Sequence, residues 1–111
     1  MSTLTGLEAT VREGAAGETG LEIELRGEID AGAEATLQKA YTQASVRDPR
    51  RILLDFAEVE YINSTGIALI VGLLARARKE RREIVARGLS AHYREIFEIT
   101  RLADFMTILP A

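Results

Sequence analysis

The segment Arg51-Ile52-Leu53-Leu54-Asp55-Phe56 constrains this chain more than any other. Its apolar residues run without the alternation of a half-exposed strand. That pattern predicts a short central strand buried on both faces, the mark of a largely parallel sheet. Parallel strands need crossovers, and the flanking sequence supplies helical ones. Upstream, Ala33, Leu37, Ala40, Tyr41 and Ala44 recur at helical spacing, with Glu34, Gln38, Lys39 and Gln43 on the other face. Asp30 suits the N-cap of this helix, and Asp48-Pro49 closes it. Downstream, a second helix is expected from about Thr65 to Arg82.

The remaining elements fall on either side. Leu7, Ala9 and Val11 alternate with polar residues, as do Leu21, Ile23 and Leu25, so two half-buried strands are expected. Gly14-Ala15-Ala16-Gly17-Glu18-Thr19-Gly20 reads as the turn joining them into an edge hairpin. Val59 to Ile62 reads as a separate extended segment, and Glu83 to Ala86 as another short strand. Ser90 precedes a last helix with Tyr93, Ile96, Phe97 and Thr100 on one face, and Met106 to Leu109 reads as a final edge strand. The order β-β-α-β-α-β-α-β predicts one α/β domain over residues 1–111: a mixed, mostly parallel sheet with about three to four helices against it.

Composition narrows the chemistry. With 111 residues, no Cys and a single His, disulfides, thiol catalysis, Cys-based metal centres and multi-His metal sites are excluded. No cofactor signal appears, and His92 reads as a neutral surface residue. The N-terminus lacks a basic stretch followed by an apolar run, and no apolar run approaches the ~20 residues that span a bilayer. A soluble, cytoplasmic protein is the expectation. Residues 1–60 carry 12 acids and 6 bases, and residues 61–111 carry 5 acids and 8 bases, for a net −3 overall. The basic run Arg76, Arg78, Lys79, Arg81, Arg82 reads as a solvated helix end, where the dipole favours cations. The acidic total and three scattered Tyr argue against nucleic acid.

The unusual segment runs from Asp55, placed at the carboxyl end of the buried strand, to Asn63-Ser64-Thr65-Gly66-Ile67 at the start of the next helix. Sites in open α/β sheets gather at this edge. A hydroxyl there has two jobs open to it. It can cap the first-turn amides, which local chemistry alone favours. Or it can accept a phosphoryl group, which gains from the helix dipole and free amides. Asp30 and Asp55 can be read as an acid–base pair, but no nucleophile or cofactor signal stands beside them, so an enzyme is not expected.

These residues resemble the STAS domain, named for sulphate transporters and anti-sigma factor antagonists. Asp55 followed by Asn63-Ser64-Thr65-Gly66 is similar to that family's Asp, then Asp-Ser-Ser-Gly or Asp-Ser-Thr-Gly, before a helix. Gly27-Glu28-Ile29-Asp30 resembles its Gly-Glu-Leu-Asp, and Glu95-Ile96-Phe97-Glu98-Ile99-Thr100 its Leu-Phe-Glu-Leu-Thr. The resemblance covers nearly the whole chain and implies an anti-anti-sigma factor of a partner-switching circuit. Unphosphorylated, such a domain binds an anti-sigma factor that is also a serine kinase of the histidine-kinase-like ATPase type. Phosphorylation at Ser64, or less favourably Thr65, ends the binding, and a PP2C-like phosphatase restores it. Asp30, Asn63, Ser64, Thr65, Gly66, Ala68 and Gly72 are the expected partner-binding residues, with Asp55 a structural neighbour of the site.

Two residues depart from the family pattern. Asn63 replaces the usual Asp and removes a charge beside Ser64. Arg101 stands where Gly is frequent, so a positive φ there would be strained. On the helix after Ser64, Ile67, Ile70, Val71 and Leu74 follow core spacing. Thr65, Ala68, Gly72, Ala75 and Lys79 form a second stripe of small residues, expected to be partly exposed and to receive the kinase. Two alternatives stand beside this: a STAS subunit bracing the ATPase of an ABC-type lipid transporter, and a scaffold domain of a stress-sensing complex. Ser64 in a Ser-Thr-Gly context favours the first reading. A weak homodimer is left open.

Overall fold

The structure is a computed structural model that describes residues 6–13 and 20–110. The turn expected around residues 14–19 lies outside them. Among the described residues, the elements are β1 (Leu7–Glu13), β2 (Gly20–Ile29), α1 (Glu34–Ser45), β3 (Arg51–Ile62), α2 (Ser64–Lys79), β4 (Glu83–Arg87), α3 (Ala91–Ile99) and β5 (Thr107–Ile108). Short 3-10 turns at Ala31–Ala33 and Leu102–Asp104 precede α1 and β5. The β-β-α-β-α-β-α-β order is the one the periodicities predict.

The five strands lie side by side in chain order. β1 pairs antiparallel with β2, and each later pairing is parallel. Parallel crossovers are right-handed. Three of them advancing in one direction put α1, α2 and α3 on the same face. Sheet columns Leu21–Ile52–Ile84 and Ile23–Leu54–Ala86–Ile108 point toward the helices. There they meet Leu37, Tyr41 and Ala44 of α1, Ile70, Leu74 and Ala77 of α2, and Phe97 of α3 in one core. Phe56 and Phe97 pack edge to face, ring centres 5.9 Å apart.

Among the described residues no helix covers the other face of the sheet, yet Ile52, Leu53 and Leu54 of β3 are all buried, as the unbroken apolar run predicts. Columns Gly20–Arg51–Glu83, Glu22–Leu53–Val85–Thr107 and Glu24–Asp55–Arg87 lie there. Leu53 and Val85 are buried all the same, because long side chains cross over them. Arg87 reaches from β4 over β3 to Glu22 on β2, at 2.9 Å. A sequence pattern of consecutive buried residues therefore arises from helices on one side and an ion-paired lattice on the other.

β3 is also longer than expected: Val59 to Ile62 continue the same strand, with two register shifts against β2 that absorb the extra residues. α2 ends three residues earlier than Arg82, and Arg81 turns the chain at φ 62°. Its buried positions are Gly66, Ile70, Leu73, Leu74 and Ala77; Val71, expected in the core, is exposed. Arg82 is not a solvated helix end. Its guanidinium donates to the Pro49 carbonyl at 2.8 Å, to Asp48 at 3.0 Å and to Glu80 at 3.2 Å, tying the loop before β3 to the loop before β4.

Arg101 adopts φ 67°, so the strain anticipated from its departure from Gly is present. Its exposed pair with Asp104 contributes little. Arg101→Gly is expected to raise stability by about 0.5–1 kcal/mol, because a left-handed residue costs ~1 kcal/mol without glycine. Urea denaturation measures this; a lower midpoint would count against it.

Candidate functional site

The carboxyl ends of β2 and β3 meet at the start of α2. Asn63 N–H donates to the Ile29 carbonyl at 3.2 Å, fastening the end of β3 to the end of β2. Ile62 N–H donates to the Tyr93 hydroxyl at 2.9 Å, which fixes the same corner from α3. Asn63 then sits in extended backbone, and its Oδ1 accepts from Gly66 N–H at 2.8 Å. Asn63 is therefore the N-cap, the role local chemistry had favoured for Ser64. An amide oxygen does what the more usual carboxylate would do, with no charge.

Ser64 is the first helical residue and is exposed, as is Thr65. No described residue hydrogen-bonds the Ser64 hydroxyl. The first-turn amides and the positive end of the α2 dipole lie beside it. Gly66 has no freedom to change: a Cβ there would lie 2.0 Å from the Ile29 carbonyl oxygen and 2.7 Å from its carbon. Only glycine lets the first turn of α2 rest on the end of β2.

Asp30 follows Ile29 directly, and its Oδ1 accepts from Gly32 N–H at 3.0 Å. It caps the 3-10 turn, and α1 begins only at Glu34. Asp30, Asn63, Ser64, Thr65 and Gly66 are thus brought to one corner. Ala68 and Gly72 continue from it as an exposed ridge with Thr65, Ala75 and Lys79. The exposure expected for that stripe is present along its whole length.

Asp55 lies elsewhere. It sits in the middle of β3, opposite Glu24 of β2, five residue steps before Ile29, roughly 16 Å from the corner. Its expected place beside Ser64 is corrected, because β3 runs on past it. On the open sheet face it accepts from Ala57 N–H at 3.0 Å and from Arg87 at 2.9 Å. Burial pushes its carboxyl up, but the Ala57 amide and the Arg87 guanidinium outweigh that and hold it below the usual carboxylate range.

The groove beside the ridge is the part sequence could not supply. A cavity of about 300 Å³ opens between α1 and α2, lined by Leu37, Gln38 and Tyr41 on one wall and Ala68, Gly72 and Arg76 on the other. The Arg76 guanidinium stacks over the Tyr41 ring at 4.4 Å, and the Tyr41 hydroxyl donates to Glu80 at 2.8 Å. Burial and that hydrogen bond push the Tyr41 phenol up, so it stays a neutral donor. The polar face of α1 was visible as a pattern; that it borders α2 was not. Among the described residues no cluster of three or more His, Asp or Glu could hold a metal, and no helix is long and apolar enough to cross a membrane.

Known proteins bear directly on this arrangement. A family model described as Mlab, STAS domain matches residues 12–110. The anti-sigma-B factor antagonist of Listeria monocytogenes is 34% identical over 88 residues, 79% of this chain and 77% of that one. A crystal structure of an anti-sigma factor antagonist from Mycobacterium paratuberculosis shares the fold with a TM-score of 0.75 at 21% identity, covering 100% of this chain and 92% of the other. The Bacillus cell fate determinant SpoIIAA, in its phosphorylated form, does so with a TM-score of 0.65 at 17% identity, covering 92% and 91%.

Proposed function

The chain belongs to the STAS domain family, and from that premise we propose that it is an anti-sigma factor antagonist switched by phosphorylation at Ser64. In this reading the unphosphorylated chain binds an anti-sigma factor that is also a serine kinase of the histidine-kinase-like ATPase type. Phosphorylation releases the complex, and a PP2C-like phosphatase resets it. The chain is substrate and ligand in that cycle; it catalyses nothing. The name of the Listeria relative and the phosphorylated state of SpoIIAA support the reading.

One observation carries it: Ser64 is exposed at the head of α2, and the cap is supplied by Asn63. The hydroxyl is thereby spared for chemistry. A phosphate there adds about −1.5 to −2 charges. The amides and dipole of α2 tolerate it, and neutral Asn63 does not repel it, so the fold survives. A partner docked along Thr65, Ala68 and Gly72 would have to bury that charge unpaired. The cost is several kcal/mol, and each 1.4 kcal/mol is about tenfold in affinity.

Incubating the chain with ATP and serine kinases of that fold from the same genome, then measuring intact mass, tests the proposal. A single phosphate-sized gain that disappears in Ser64→Ala is expected. No gain with any such kinase, together with tight binding by Ser64→Glu, would overturn it. Capture of an ABC-type ATPase in place of a kinase would turn the assignment to the transporter alternative.

A further inference from the structure

We propose that the outer edge of β1 is a self-association surface, on which a second copy of this chain lays its own β1 antiparallel to form one continuous sheet. The two edges of the sheet are unequal. β5 is two residues long with Pro110 just beyond, too short to template another strand. β1 is seven residues long, free of Pro and bulges, and paired with β2 in unbroken register from Leu7 opposite Gly27 to Glu13 opposite Leu21.

The direction of its backbone groups follows from one bond. Glu28 N–H donates to the Gly6 carbonyl at 3.0 Å, which extends the same ladder by one pair. Antiparallel ladders alternate, so Glu8, Thr10 and Arg12 exchange their bonds with β2. Leu7, Ala9, Val11 and Glu13 aim N–H and C=O outward. A two-fold partner must pair these outward residues with each other. The register that uses all seven residues sets Leu7 opposite Glu13 and Ala9 opposite Val11, with Thr10 on the axis.

In that register Glu8 falls opposite Arg12 of the second copy, and symmetry makes the pair twice. Both lie on the open face of the sheet and are exposed. Glu8 has no ion-pair partner among the described residues. Arg12 bonds Glu24 at 2.7 Å and approaches Glu22 at 3.8 Å, and a guanidinium with five donors has capacity left for another carboxylate. Shifting the register by two residues sets Glu8 opposite Thr10 or leaves it without a partner, and shortens the overlap. On the helix side, Ala9 and Val11 are half-buried and would be covered further by their counterparts. Glu8 and Arg12 are thus complementary across the two-fold at full overlap, while Glu13, already paired with Arg47, stands opposite Leu7. One strand pair buries less than the ~1,200 Å² of a stable standard interface, so the dimer is weak and concentration-dependent.

Sedimentation velocity of the full chain from low-micromolar to near-millimolar concentration tests this. A monomer–dimer equilibrium that weakens with salt is expected, with hydrogen exchange at the Ala9 and Val11 amides slowing as dimer forms. Ala9→Pro removes an outward donor and leaves the β1–β2 ladder whole, so it should weaken dimerisation at least tenfold while circular dichroism stays native. Glu8→Arg and Arg12→Glu chains should each be monomeric alone and should associate when mixed, because only the mixture restores opposite charges at both pairs. A chain monomeric throughout the range, or a dimer indifferent to Ala9→Pro and to the charge reversals, would overturn the proposal.

Discussion

Gly66→Ala is expected to destabilise the protein by about 3 kcal/mol or more, at the upper end of what an added methyl costs in a packed site. The new Cβ would lie 2.0 Å from the oxygen and 2.7 Å from the carbon of the Ile29 carbonyl, and both belong to backbone that cannot swing aside. The start of α2 must lift off β2. That lengthens the bond from Asn63 N–H to the same carbonyl and pulls Gly66 N–H from the Asn63 cap. Urea denaturation monitored by circular dichroism measures the effect, and a midpoint equal to that of the native chain would disprove the close approach. Gly72→Ala is the internal control. Nothing lies within 4 Å of a Cβ there, so gained helix propensity should stabilise α2 by roughly 0.5–1 kcal/mol. Two glycines six residues apart in one helix are predicted to respond with opposite signs.

Gly72→Arg carries the largest functional effect. The open space at Gly72 lets the side chain project without disturbing the core, so the fold and most of its stability should persist, less a small repulsion from Arg76 at i+4. The guanidinium would fill the groove between α1 and α2 and raise the ridge that leads from Ser64. Under the proposed function, affinity for the serine-kinase anti-sigma factor should fall at least about a hundredfold, close to 3 kcal/mol. Titration calorimetry beside a circular dichroism spectrum separates lost binding from lost fold. Native affinity in a folded Gly72→Arg chain would remove this ridge from the docking surface, leaving the phosphorylation of Ser64 to stand on its own test.

Much of the corner at Ser64 was legible in the chain. Alternation placed β1 and β2, helical spacing placed α1 and α2, and Asn63-Ser64-Thr65-Gly66 located the junction. The small residues of the stripe from Thr65 to Lys79 proved exposed along its length, and the strained position of Arg101 was foreseen from its departure from Gly. The identity of the cap was not legible. Asn63 and Ser64 are both good N-caps, and one residue of difference at a helix start is set by where β3 stops, here by the Asn63–Ile29 bond to another strand. Val71 was misplaced for a related reason. Periodicity alone does not say on which side of a stripe the sheet lies, and the buried face proved to run through Leu73. Arg82 looked like one of several helix-end cations until the loops at Pro49 and Glu80 came together around it.

By itself, then, the sequence determined which segments become strands and helices, the order in which they follow, and where the junction before α2 falls. These depend on side-chain period and on capping chemistry within a few residues. Tertiary structure decided the order of strands in the sheet. Because β2 to β5 advance in one direction, right-handed crossovers stack every helix on a single face. That choice builds the groove between α1 and α2 and leaves the opposite sheet face to Arg12, Glu22, Asp55 and Arg87, while the unexpected length of β3 carries Asp55 away from Ser64. Among the described residues the strand order also leaves β1 as an open edge. Pairings between distant segments set all of these, and no local pattern of residues encodes them.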